Sequence, residues 1–268
     1  MEKLILEDLF KVLLGIIDSY NSKILQNINE KYTVIDKSML SAYLYIKILE
    51  NRNERNDLSV EVLRNYLLKQ SIYGETGNLA LEFTDKSKMD LYNKVINELI
   101  VEKFEYKNRV MKRLKYDYKI LDNNEYTNLL EFCESIAEIS ILNKLARRGN
   151  KEAEEYLKIR KNKLVSIYTN NALNGDKFKD EKINIIYHIK EEKFEETDYF
   201  KLLEVALKLR DVYRYSTLTT VLPENVLFHQ YIISVTCILF ADYLKSELNE
   251  NINIYTLLLK ALFHDFGV

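Results

Sequence analysis

Apolar residues recur at helical spacing along almost the whole chain. Leu6, Leu9, Phe10, Leu13, Ile16, Ile17 and Tyr20 fall on one face of a helix over residues 4–29, because positions three and four apart share a side at 3.6 residues per turn. The same period predicts a helix over 37–50, with Leu40, Tyr43, Leu44, Ile46, Ile48 and Leu49 as its apolar set. Further helices are predicted from Ser59 to Lys69 and over 87–120, 124–148, 151–173, 197–213, 223–246 and 253–265. Ser59 is suited to cap its helix through its hydroxyl. Pro223 fits a first turn, and Gly149-Asn150 reads as a helix stop. Between them, Ile183 to Ile189 fits a short strand as well as a helical turn. The polar run Asn170 to Asp176, which contains Gly175, is read as a domain boundary. The expected organisation is a first helical domain at 1–172, a linker at 173–196 and an opening second unit at 197–268.

Composition agrees with an all-α fold. The 268 residues include one proline and six glycines, apolar residues make up 47 % and charged residues 30 %. Few breakers among abundant Leu, Ile, Lys and Glu favour helices throughout. The formal net charge is -2 and the two signs are interspersed, which leaves no electrostatic case for nucleic acid or a membrane surface. The basic run Lys107, Arg109, Lys112, Arg113, Lys115 and Lys119 reads as a solvated helix face that could also touch an anionic substrate. Cys133 and Cys237 read as reduced core thiols of a cytoplasmic protein. No apolar run is expected to reach the roughly 20 residues of a membrane span, and the N-terminus lacks the pattern of a signal peptide.

The candidate chemistry lies at the C-terminal end. His264-Asp265 closes the apolar helix Tyr255 to Phe263, a costly position for polar side chains that lack partners. A divalent metal would satisfy both, since imidazole nitrogen and carboxylate oxygen are ordinary ligands. His229 lies on an apolar stripe with Val226, Ile232, Ile233, Thr236 and Phe240, where it is either a satisfied core histidine or a third ligand. His264 could equally be a histidine beside a helix C-terminal dipole, and Arg214 a surface salt-bridge partner.

The ordered set Arg214-Tyr215, Glu224-Asn225-Val226 with His229, and His264-Asp265 resembles the HD-domain phosphohydrolases, closest to the bacterial 5'-deoxynucleotidase (YfbR-like) branch, over residues 210–268. The resemblance implies a helical HD-like bundle with a metal-dependent phosphohydrolase activity on nucleotides. It makes His229, His264 and Asp265 the metal ligands, Asp265 also catalytic, and Arg214 the contact for the substrate phosphate. The implied ion is divalent: Mn, Co, Mg, Zn or Fe. It also suggests a homodimer, which tandem copies could replace. Two features depart from the family. Its fourth ligand, an Asp on a later helix, has no counterpart after Asp265, and Val268 stands where the family has a proton-transferring Glu. The chain is therefore expected to be a shortened form ending inside the active site, and inactive if so.

The first 170 residues resemble a worn copy of the same domain. Ser38 to Leu49 and Leu58 to Gln70 match the run from His229 to Asp265. Ser38 then falls near the place of His229, and Lys69-Gln70 in that of His264-Asp265. Tyr73 to Asn78 resembles the loop after the family's dyad. Glu134 takes the place of the fourth ligand, and Arg147 to Asn150 the end of its helix. A cation at Lys69 predicts no metal in the first copy. If the later helices of the first copy complete the second site, Glu134 must lie beside His264. The alternative to a phosphohydrolase is a non-catalytic helical pseudoenzyme that serves as a binding or regulatory module.

Overall fold

The computed structural model describes residues 32–73, 124–169, 173, 175–212 and 225–266. These residues are all-α: α1 Val34–Arg52, α2 Asp57–Tyr73, α3 Glu125–Arg147, α4 Lys151–Thr169, α5 Lys179–Lys190, a 3-10 turn Phe194–Glu196, α6 Asp198–Arg210, α7 Val226–Glu247 and α8 Ile254–Phe263. The helices expected over 4–29 and 87–120 lie outside the described residues.

Most starts and stops follow from local chemistry. Thr33 caps α1 through a capping box with Asp36. Asn124 accepts from Tyr126 and Thr127 at the head of α3. Asn225 accepts from Phe228 on α7 and Asn253 from Thr256 on α8. Each supplies an acceptor to first-turn amides that have no intrahelical partner. At α2 the expected cap moves upstream: Asn56 Oδ1 accepts from the Ser59 amide at 2.9 Å, and the Ser59 hydroxyl donates to the Asn56 carbonyl at 2.8 Å. Helix α3 ends as Gly149-Asn150 predicts. Gly149 takes φ +86, its amide donates to Ala146 O at 2.9 Å, and Asn150 donates to Leu145 O at 3.2 Å. That pair of bonds is a Schellman motif, which needs the left-handed conformation glycine tolerates.

Helix α1 is the hub. Every residue from Val34 to Ile46 is buried, so it is surrounded rather than amphipathic. It packs against α2, α3, α6 and α7. Its polar side chains must therefore be satisfied inside the protein. Ser38 donates to Val34 O at 2.9 Å and Ser41 to Lys37 O at 2.7 Å. Asp36 lies 3.6 Å from Arg210. Asn51, at the other end of α1, donates to the Tyr199 hydroxyl at 3.3 Å. Residues 36 and 51 thus meet residues 210 and 199, so α1 and α6 run antiparallel. Each large apolar side chain buried along α1 contributes roughly 1.5–3 kcal/mol.

Helices on both sides of the expected boundary at 170–176 share one buried cluster, from Tyr32 on one side to Leu262 on the other. The stretch 173–196, expected as a linker, carries α5 and the 3-10 turn. Ile185, Ile186, Ile189 and Phe194 belong to the same cluster. Lys182, only 1 % exposed, anchors α5 by pairing with Asp176 at 2.6 Å and lies over the rings of Phe132 and Tyr168. Cys133 is buried and Cys237 half-buried, and both are free thiols. One expectation is corrected: Val226–Lys245 is long and apolar enough to cross a membrane by length and composition. More than half of it is buried in the protein, with Tyr231, Val235, Ile238 and Leu239 in the shared cluster. The apolar character of α7 is that of a core helix.

Candidate metal centre

Helix α8 is apolar at helical spacing, with Leu258, Ala261 and Leu262 turned into the core. It stops at Phe263, and His264, Asp265 and Phe266 form a turn closed by the Phe266 amide on Phe263 O at 3.1 Å. The rings of Phe263 and Phe266 lie 5.0 Å apart. These apolar residues flank the dyad and fix which way it leaves the helix. Neighbouring helical residues point about 100° apart. Even so, at this helix end His264 Nε2 lies 3.1 Å from Asp265 Oδ2. His229, the fourth residue of α7, lies beside them, its ring centroid 5.5 Å from that of His264. Ligand atoms of His229, His264 and Asp265 all lie within 4.8 Å of one another.

The hydrogen-bond roles around His264 narrow what can occupy this point. His264 Nδ1 lies 2.8 Å from the carbonyl of Ala261. A carbonyl only accepts, so Nδ1 carries the proton. In a neutral ring Nε2 then has a lone pair, and it faces a carboxylate oxygen, another acceptor. Both atoms offer electron pairs close together, as two ligands of one ion would. An Nδ1–H held by a backbone carbonyl with Nε2 left as ligand is the usual support for a metal-binding histidine. Two imidazoles and a carboxylate form a donor set of borderline hardness that suits first-row divalent ions. The residues present therefore fit a divalent ion.

Arg214, Glu224 and Val268 lie outside the described residues, as does the loop after Tyr73. Glu134 does not belong to the group. Its carboxylate instead takes a bond from the Tyr66 hydroxyl at 2.9 Å and pairs with Lys37 at 3.6 Å. Lys37 is the fourth residue of α1, as His229 is of α7, and Ser38, expected near the place of His229, is the fifth. The cation near Glu134 is accordingly Lys37.

Sequence reasoning missed Tyr43. It is completely buried, and its single O–H proton is shared between Gln230 Oε1 at 2.6 Å and the Leu262 carbonyl at 3.2 Å. Burial first, and then the charge of Asp265, push its phenol well above the usual tyrosine range. Only its position in the apolar set of α1 was visible in the sequence.

Comparison of the chain with models of known protein families, with curated proteins and with solved structures finds no match.

Proposed function

We propose that this chain binds a divalent metal through His229, His264 and Asp265 and acts as an HD-type phosphohydrolase on nucleotides. The observation that carries the reading is the convergence of these three side chains within 4.8 Å. Two helices separated along the chain supply them, at the edge of an otherwise apolar core. When bound, the ion would lower the pKa of a water and polarise a phosphate. The chain's own residues supply the rest. Ala261 O holds the His264 ring in the tautomer that offers Nε2. Asp265 contributes the carboxylate, the one group of the three able to take a proton once both imidazoles are committed as ligands. Arg214 is assigned the phosphate, where a guanidinium offers a bidentate clamp.

A second reading, a non-catalytic binding or regulatory module, draws on the first helix pair. There Lys37 already neutralises the carboxylate of Glu134, so no ion is needed.

Metal analysis of the purified chain after exposure to Mn, Co, Zn, Fe or Mg separates the two. The phosphohydrolase reading expects a bound ion in the wild type and none in His264→Ala, together with hydrolysis of deoxynucleoside monophosphates that the substitution abolishes. A wild type that retains no ion sinks it. Metal-dependent hydrolysis lost in His264→Ala sinks the module.

A further inference from the structure

The two helix pairs α1–α2 and α7–α8 are tied to each other by reciprocal bonds. Tyr43 of α1 reaches the carbonyl of Leu262 in α8 at 3.2 Å. Tyr231 of α7 donates to the carbonyl of Leu67 in α2 at 2.8 Å. Leu262 and Leu67 occupy matching places, two residues ahead of His264 and of Lys69. The bonds differ in what surrounds them. Leu67 O lies within α2, whereas Leu262 O belongs to the last turn of α8, whose carbonyls have no intrahelical partner. The Tyr43 hydroxyl is therefore a C-terminal cap supplied from a distant helix, at the point where the chain turns into His264-Asp265.

The same hydroxyl makes its shorter bond, 2.6 Å, to Gln230, the residue next to His229. Its ring packs on both sides of the dyad, 5.2 Å from Phe263 and 5.0 Å from Phe266. One buried side chain outside the two site-bearing helices thus touches the neighbour of His229, the last turn before His264 and the residue after Asp265. We propose that Tyr43 is a positioning residue that sets the distance between His229 and the His264-Asp265 dyad. This rests on the metal-site reading above. The first helix pair then serves the second as a rigid template. A ligand set held only by its own helices would vary with every slide of α8 along α7. Bonding both helices to the central, buried helix removes that freedom.

The test compares Tyr43→Phe with Tyr231→Phe in the full chain. Each loses a buried hydroxyl and keeps its ring, but Tyr231 donates to Leu67 O in α2 rather than to the last turn of α8. Co2+ affinity is measured by titration, the ligand field by the visible d–d bands, and folding by circular dichroism and thermal melting. Tyr43→Phe is expected to weaken Co2+ binding roughly ten-fold, at the low end for a support residue, and to change the d–d bands. Tyr231→Phe is expected to lower the melting temperature while leaving both metal readouts at wild-type values. Gln230→Met severs one of the two Tyr43 bonds at nearly constant volume and should give an intermediate loss of affinity. A second readout needs no metal: nitrogen-15 signals of the His264 ring should show a fixed Nδ1–H in the wild type and tautomer averaging in Tyr43→Phe. Equal Co2+ affinity and equal His264 signals in the wild type and Tyr43→Phe overturn the positioning role while the metal site stands. A wild type that binds no Co2+ overturns the metal-site reading, and the positioning role with it.

Discussion

Helix α1 and helix α7 each start at a side-chain cap, Thr33 and Asn225, and each gives way to a left-handed asparagine, Asn53 at φ 54 and Asn249 at φ 57. At the fourth position of each helix stands a polar side chain, Lys37 in one and His229 in the other. What differs is where that side chain sits. Lys37 is 9 % exposed and closes an ion pair with Glu134 inside the protein. His264 and Asp265, which share a cluster with His229, are 34 % and 20 % exposed. A charge buried in the hub must be neutralised by another part of the chain. Acceptors at an edge can take their positive partner from solution. The comparison teaches that the same helix start can seat an ion-paired side chain in the centre of a fold and join an open polar cluster at its edge.

The largest effect expected from that contrast is on stability. Leu44, in the middle of α1, is fully buried with helices packed around it, so the space left by Leu44→Ala cannot collapse. Leu258 of α8 is also buried, at 1 % exposure, but α8 packs mainly on α7 and can shift to fill a gap. Leu44→Ala is expected to cost about 4 kcal/mol and Leu258→Ala about 2.5 kcal/mol, within the range of such truncations. Urea unfolding of both variants measures the difference, and equal costs would remove the distinction between hub and edge.

Metal addition gives the next largest effect, and it should act on one pair only. An ion at a hundred times its dissociation constant stabilises the folded state by about 2.7 kcal/mol, a rise in melting temperature of roughly 5–10 °C for a chain of this size. Chelation should reverse the rise, and His264→Ala should never show it. Lys37→Met should lower the baseline by about 1–3 kcal/mol through the exposed need of Glu134 yet leave the metal increment unchanged. A metal increment that disappears in Lys37→Met would mean that the two polar clusters are one coupled system.

The contrast also marks what the sequence could reveal. Helices with a single apolar stripe, such as α8, were legible because their buried set repeats at helical spacing. Helix α5 was not, because Ile183, Ile185, Tyr187 and Ile189 alternate as a strand would. The helix instead buries Ile185, Ile186 and Ile189 and leaves Ile183 and Tyr187 exposed at 45 % and 55 %. The hub character of α1 was hidden too, since Lys37, Ser38 and Ser41 look like a solvent face until their partners are known. His229, His264 and Asp265 could be singled out because histidine and aspartate stand out in an apolar helix. Tyr43 could not: one tyrosine among 20 acquires its role only through the packing of α1 against α7 and α8.

The smallest effect concerns the helix exits. Glu54 follows Asn53 as Glu250 follows Asn249, but only Glu54 is fastened to the fold. It pairs with Lys177 at 2.8 Å and accepts from the Tyr126 hydroxyl at 3.2 Å, whereas Glu250 is exposed. The bond from Lys177, above all, holds the Glu54 carboxyl below its ordinary 4.5. The bond to Glu54 likewise raises the Lys177 ammonium above its ordinary 10.5. A depressed carboxyl contributes stability above its unfolded pKa and loses it as pH falls through the folded value. A raised ammonium contributes below its unfolded pKa and loses it as pH rises through the folded value. The pair is thus fully present between 4.5 and 10.5. Both groups are in contact with water, so the effect is modest and screened by salt. In low-salt urea titrations, Lys177→Met should unfold earlier than wild type at neutral pH, and the gap should close as pH falls below 4.5. Glu250→Gln should track the wild type across the same range. A gap in Lys177→Met that persists unchanged into acid would show that Lys177 acts through its packing on Tyr126 and Phe178 rather than through its charge, and the two exits would then differ in shape, not in electrostatics.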